Sequence, residues 1–187
     1  MAQTVLNVTT GKPGASGGVY IAPGGTTCPT SVSASLSSFT SLGYVSEDGL
    51  TNSNSPSTST GKAWGGEIVI AYQTEKPDTF QFTLIEAKNE DVLEAVYGSA
   101  NVSGALATGI TVSANSDEPE EHAWVFDMVM RDNTFKRIAV PVGKVTEVGD
   151  IVYKDDEIVG YNLTVQAFPD SDGNAHYEYI QEITGSH

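Results

Sequence analysis

Apolar residues in the second half of the chain recur at every second position. In "TFQFTL", Phe80, Phe82 and Leu84 alternate with Thr79, Gln81 and Thr83, the period of an extended strand with one buried face. Trp124, Phe126, Met128 and Met130 share one face of "AWVFDMVMR", and Tyr161, Leu163, Val165 and Ala167 share one face of "YNLTVQA". Further strands are predicted at Val19–Ile21, Glu67–Tyr72, Ile110–Ser113, Phe135–Val140, Lys144–Tyr153 and Tyr177–Ile183.

One segment has a different period. In "NEDVLEAVYG", Asn89 is placed to cap a helix, and Glu90 and Asp91 suit its positive end. Val92, Leu93 and Val96 form its apolar stripe, and Gly98 stops it. Leu36, Phe39 and Leu42, spaced by three, predict a short helical turn ending at Gly43. Many strands, one clear helix and no alternation of the two predict a mainly β fold, an antiparallel β-sandwich with the helix on its flank.

Between these runs lies "GLTNSNSPSTSTGKAWGG", Gly49 to Gly66, in which almost nothing can pack. It predicts a long polar loop over about residues 50–64, and loops of that length are usually functional or disordered. Trp64 is open to two readings, an anchor at the base of the loop or an ordinary core tryptophan. From Met1 to Ser46 the only charged residue is Lys12, and Gly, Ser, Thr and Pro dominate. The chain therefore divides into a flexible arm over residues 1–16 and a sandwich domain over 17–187.

The 187 residues suffice for one domain with a sizeable core. The formal charge is −15, from 24 acidic against 9 basic residues. This balance argues against gripping nucleic acid, which needs clustered Lys and Arg. No secretory leader and no apolar run near the roughly 20 residues of a membrane helix is evident. Cys28 is the only cysteine, so no internal disulfide forms. The sequons at Asn7, Asn101 and Asn162 then carry little meaning, and a cytosol-like compartment is expected.

Candidate chemistry is sparse. "GASGG" matches G-x-S-x-G around Ser16, but no helix start follows to form a nucleophile elbow. His122 follows the acidic run "DEPEE", where a solvated turn competes with an acid–base or metal role. "DSDG", Asp170 to Gly173, begins like a calcium loop without the closing glutamate, and predicts a hairpin turn. Asp155 and Asp156 are placed as another hairpin tip. No catalytic residue, cofactor or metal ligand is expected.

Several phrases taken in order carry a resemblance. "LGYVSEDGL" (Leu42–Leu50), the polar stretch, and "TFQFTLIEAKNEDVLEAVYG" (Thr79–Gly98) resemble the tail tube, or major tail, proteins of long-tailed bacteriophages. "RIAVPVGKVTEVGDIVYKDDEIVGYNLTVQAFPDSDG" (Arg137–Gly173) continues it, in the manner of actinobacterial phages. The resemblance covers about Gly17 to Tyr179 and rests on the ordered set rather than on one motif.

The resemblance implies a structural virion protein with a β-sandwich or barrel-like tail-tube fold, made in the host cytoplasm. It implies six-membered rings stacked into a tube that holds a tape-measure protein, meets tail-end proteins and later conducts DNA. The polar loop then becomes the expected contact between rings, through Thr51, Asn52, Ser53, Asn54, Ser55, Thr58, Thr60, Lys62 and Trp64. Ordering it costs about 1–2 kcal/mol per residue, so it is expected to be mobile until it docks. Its reach is about 20 Å. Glu67, Glu86 and Asp127 are the acids placed to face a lumen that must not bind DNA. Two other classes stay open: a hexameric tube protein of a secretion apparatus, and a monomeric acidic β-sandwich binding module.

Overall fold

The computed structural model describes residues 5–14 and 17–182; Ser16 of the G-x-S-x-G match and Ile183 of the last expected strand lie outside them. In chain order the strands begin with β1 (Lys12–Pro13), β2 (Val19–Pro23), β3 (Thr40–Ser41) and β4 (Val45–Asn54). An excursion follows, made of β5 (Ser57–Lys62) and β6 (Ile68–Glu75), and the chain returns in β7 (Asp78–Leu84). Next come α1 (Glu90–Tyr97) and a small hairpin of β8 (Val102–Ala105) and β9 (Gly109–Val112). β10 (Glu121–Val129), β11 (Thr134–Val148), β12 (Tyr161–Phe168) and β13 (Tyr177–Glu182) complete the fold.

Nine strands among the described residues form one antiparallel sheet in the order β3-β2-β10-β11-β12-β7-β4, with β1 also on β10 and β13 also on β11. The sheet curls over itself as a sandwich and does not close into a barrel. β7 and β10 stand three places apart in it, yet Phe80 stacks on Phe126 at 5.1 Å and Phe82 meets the Trp124 ring at 5.9 Å. These rings, with Leu84, Val140, Leu163 and Val165, are fully buried and make the core. The alternation seen in the sequence is the cause, since every second residue of β7 and β12 points inward. Where the two ends of the sheet fail to meet, a crevice of about 430 Å³ remains between β1, β4 and β10.

The helix forms as its residues dictate. Asn89 accepts from the Asp91 amide at 3.0 Å, Gly98 ends the helix at φ 91°, and Val92 and Leu93 enter the core. The outer face of β10 and β11 carries a second, smaller cluster of Tyr20, Val125 and Ala139, over which Cys28, Leu36 and Phe39 pack. Residues 24–39 thus form a strap across the sheet. Arg137 fastens it: the buried guanidinium donates to the Ser31 and Ala34 carbonyls at 2.9 and 2.8 Å.

Three local expectations change. Leu36, Phe39 and Leu42 do not make a helical turn; the Phe39 amide bonds the Leu36 carbonyl in a single turn at 2.9 Å. Five serines in the stretch 33–41 offer the backbone competing hydrogen bonds and favour turns over helix. Phe135–Val140 and the start of Lys144–Tyr153 are one continuous strand, β11, because Pro141 sits at a register irregularity that needs no N–H there. The strand ends at Val148 rather than Tyr153, with one further bond from the Gly149 amide to the Asn162 carbonyl at 2.8 Å. Residues 149–160 then form a wide, irregular connection between the antiparallel β11 and β12, with Asp155 and Asp156 in its middle, at the hairpin tip expected for them.

Candidate functional site

The stretch expected to be a structureless polar loop is built as strand. Thr51, Asn52, Ser53 and Asn54 are the second half of β4 and pair with Gln81, Phe80, Thr79 and Asp78 of β7. Ladder hydrogen bonds to a strand already anchored in the core supply the ordering that these side chains cannot. Pairing then lapses for two residues on each side, between Asn54↔Asp78 and Ser57↔Glu75. Pro56 and Pro77 lie in that gap, and each removes a backbone donor.

Past the gap, β5 and β6 continue as an isolated two-stranded arm. Thr58, Thr60 and Lys62 pair with Gln73, Ala71 and Ile68. Every residue of β6 is exposed, including Ile68 at 59%, Val69 at 64% and Tyr72 at 52%. Side chains of successive strand residues point to opposite faces, so both faces of the arm carry apolar groups into solvent. A lone two-stranded hairpin is marginal in water, and an exposed apolar surface of this kind marks a place where something else binds.

Trp64 neither anchors the base nor enters the core. It stands at the tip of the arm with its side chain fully exposed. The tip is a tight turn, with the Ala63 amide on the Glu67 carbonyl at 2.7 Å and the Gly66 amide on the Ala63 carbonyl at 3.0 Å. Gly65 and Gly66 hold φ values of 120° and 93°, which side-chain-bearing residues rarely adopt. Sequence reasoning missed this because "GKAWGG" gives no sign that the whole turn stands in solvent.

The root of the arm is fixed by a polar network. Asp78 is 3% exposed; it accepts from Asn52 Nδ2 at 2.8 Å and pairs with His176 Nδ1. The His176 ring stands edge-on to Phe80 at 5.4 Å, and Glu178 beyond it pairs with Lys136 at 2.7 Å. β4, β7 and β13 are thereby tied together where the arm departs. Asn52 works at this root rather than in the projecting arm.

The three acids have unlike surroundings. Glu67 is exposed beside Trp64 at the tip. Glu86 is held inside its own subunit, accepting from the Tyr44 amide at 2.9 Å and from Asn89 Nδ2 at 3.0 Å. Asp127 receives both Nε and Nη2 of Arg137, at 2.7 and 2.6 Å, a forked pair that neutralises both charges. Sequence pattern placed Asp127 on a strand but gave no sight of its cross-strand partner.

The other candidates sit in local hydrogen bonds. His122 Nδ1 approaches the Glu120 carbonyl at 3.2 Å, and no group of three or more metal-ligating side chains occurs among the described residues. Asp170 accepts from Tyr177 Oη, which holds its carboxyl below the usual range, and from the amides of Asp172 and Asn174, closing a turn. Burial pushes the Cys28 thiol up to about 11. Lys12 and Pro13 of the N-terminal arm pair with Val129 and Met128, and the Arg131 amide donates to Thr9 Oγ1 at 3.0 Å. No described helix is long and apolar enough to cross a membrane.

A family model described as "Phage tail tube protein" matches residues 7–186. Comparison with curated proteins finds none that matches.

Proposed function

Because the chain belongs to the phage tail tube protein family, we propose that its copies close into six-membered rings and that the rings stack into the tube through which the genome passes. The observation that carries this reading is the β5–β6 arm, whose apolar side chains on both faces are left to solvent in the single subunit. A second copy is the natural cover for it, and backbone pairing along the arm offsets the cost of ordering. The role expected of the polar stretch passes to this arm: Ser55, Thr58, Thr60, Lys62 and Trp64 make contact between rings, while Thr51–Asn54 hold its root.

The protein acts as a building block of the virion, not as a catalyst, with tape-measure and tail-end proteins as its further partners. The lumen is neutral or negative. Support comes from the charge of −15 per copy and from the engagement of Lys136 and Arg137 in ion pairs within the subunit. The acids that tune the lining are exposed carboxylates rather than Glu86 or Asp127, which serve the fold.

Electron microscopy of the purified protein across a concentration series tests the reading. Six-fold rings and tubes are expected as concentration rises. A single monomeric species at all concentrations, absent from phage particles, would instead mark an acidic binding module.

A further inference from the structure

The strand pair β4–β7 has two ends, and they differ in kind. At one end Asn54 faces Asp78 and the arm departs. At the other, Val45 faces Leu84, and the next residues are Tyr44 and Ile85, whose backbones are joined by a 3.1 Å hydrogen bond. There a depression of about 520 Å³ opens, walled by Ile85, Ala87, Ile158 and Val159, with Glu86 and Lys88 also lining it. Ile158 in its wall and Tyr44, bonded through its carbonyl to Ile85, are each 72% exposed. An exposed aromatic knob and an apolar socket therefore sit at opposite ends of one strand pair.

We propose that Trp64 of one copy seats in the Ile85–Ile158 depression of the next copy along the stack. The proposal rests on the tube reading and names the surface that receives the arm. A patch and a different, complementary patch at opposite ends of one molecule repeat head to tail, and such contacts build open stacks rather than closed pairs. Charge selects the same occupant. The segment 55–77 carries Lys62 and Lys76 against Glu67 and Glu75 and is formally neutral, so the net −15 falls on the rest of the chain. Bodies of two copies repel; the arm is the part that reaches an acidic neighbour without that penalty. Trp64, held out on a glycine turn, has the amphipathic aromatic surface typical of residues that dominate interfaces.

The wild-type protein carries its own probes. Of its two tryptophans, Trp124 is wholly buried and Trp64 wholly exposed. Acrylamide is expected to quench Trp64 in the free subunit and to lose access to it in tubes, with a blue shift of emission. An amine-reactive cross-linker applied to tubes mixed from isotopically labelled and unlabelled copies is expected to join Lys62 to Lys88 between copies. Ile158→Glu is expected to raise the concentration needed for assembly by about ten-fold or more. Lys62 joined to Lys12 or Lys144 of a neighbour would overturn the socket while leaving the arm as connector. Tubes in which Trp64 stays quenchable overturn the proposal outright, and a wild-type protein that never assembles overturns the reading beneath it.

Discussion

The indole nitrogen of Trp124 donates to the carbonyl oxygen of Gly143 at 3.3 Å, and the ring lies across the face of that glycine. A Cβ on Gly143 would stand 2.6 Å from Trp124 Cδ1 and 3.1 Å from a Val165 methyl. The largest core side chain is thus accommodated by the absence of another. Gly143→Ala is expected to lower stability by about 2 kcal/mol through overpacking, read by urea denaturation with an unchanged m-value. A loss below about 0.5 kcal/mol would mean that the indole shifts freely.

Arg137 is expected to be the polar residue whose loss harms the fold most. It meets Asp127 through a forked pair and caps two strap carbonyls, all at one buried guanidinium. Arg137→Ala leaves those acceptors without their donor and is expected to cost about 3 kcal/mol. Arg137→Lys should recover little, since an ammonium cannot form the fork and reach the strap together. Thermal melts of the two variants compare them directly, and near-wild-type stability of the lysine variant would refute the fork.

Replacing residues 55–77 with Asn-Gly should leave the body intact. No residue of that segment belongs to either core cluster, and the pair Asn54↔Asp78 is left joined by a two-residue hairpin turn. Circular dichroism is expected to show a strand-rich fold with a wild-type melting point, while sedimentation shows loss of rings stacked into tubes. Normal tubes from this variant would remove the arm from the assembly.

Hydrogen exchange should divide the sheet. Amides of β5 and β6 are expected to exchange fast in the free subunit, because the two strands pair only with each other among the described residues, whereas those of β7 and β12 are slow. In tubes the arm should become protected. Slow exchange of the arm in dilute monomer would show that it is stable unaided.

Cys28 tests the strap. With its pKa pushed up to about 11 by burial, almost no thiolate is present at pH 8. Reaction with a maleimide is expected to be about 100-fold slower in the native protein than in denaturant. The group titrates as an acid, so labelling should climb as pH rises toward the raised value. Equal rates in the two states would mean that residues 24–39 do not lie on the sheet.

The core strands were legible because burial on one face leaves an alternating trace, as in Phe80, Phe82 and Leu84. The helix was legible from Asn89 and Gly98, which end it by local chemistry alone. The strands at Thr51–Asn54 and Ser57–Lys62 were hidden, because their order comes from ladder bonds to a partner strand and leaves no apolar period. β6 was found as a strand, yet "IVIAY" gave no warning that it lies wholly in solvent. The Asp127–Arg137 pair lies directly across β10 and β11. It depends on register, which no single strand encodes.

The lapse in pairing around Pro56 and Pro77 has a mechanical meaning. A ribbon with continuous hydrogen bonds behaves as a beam, whereas one interrupted on both strands at the same level behaves as a hinge. In a stack whose rings were joined by these arms, as proposed, each joint would take up part of any curvature before a body contact had to open. Rings linked in this way would tilt slightly on one another while the sandwiches keep their shape. Filling the gap, with Pro56→Thr and Pro77→Thr together, would stiffen the links and straighten the tube, a change measurable as persistence length in micrographs.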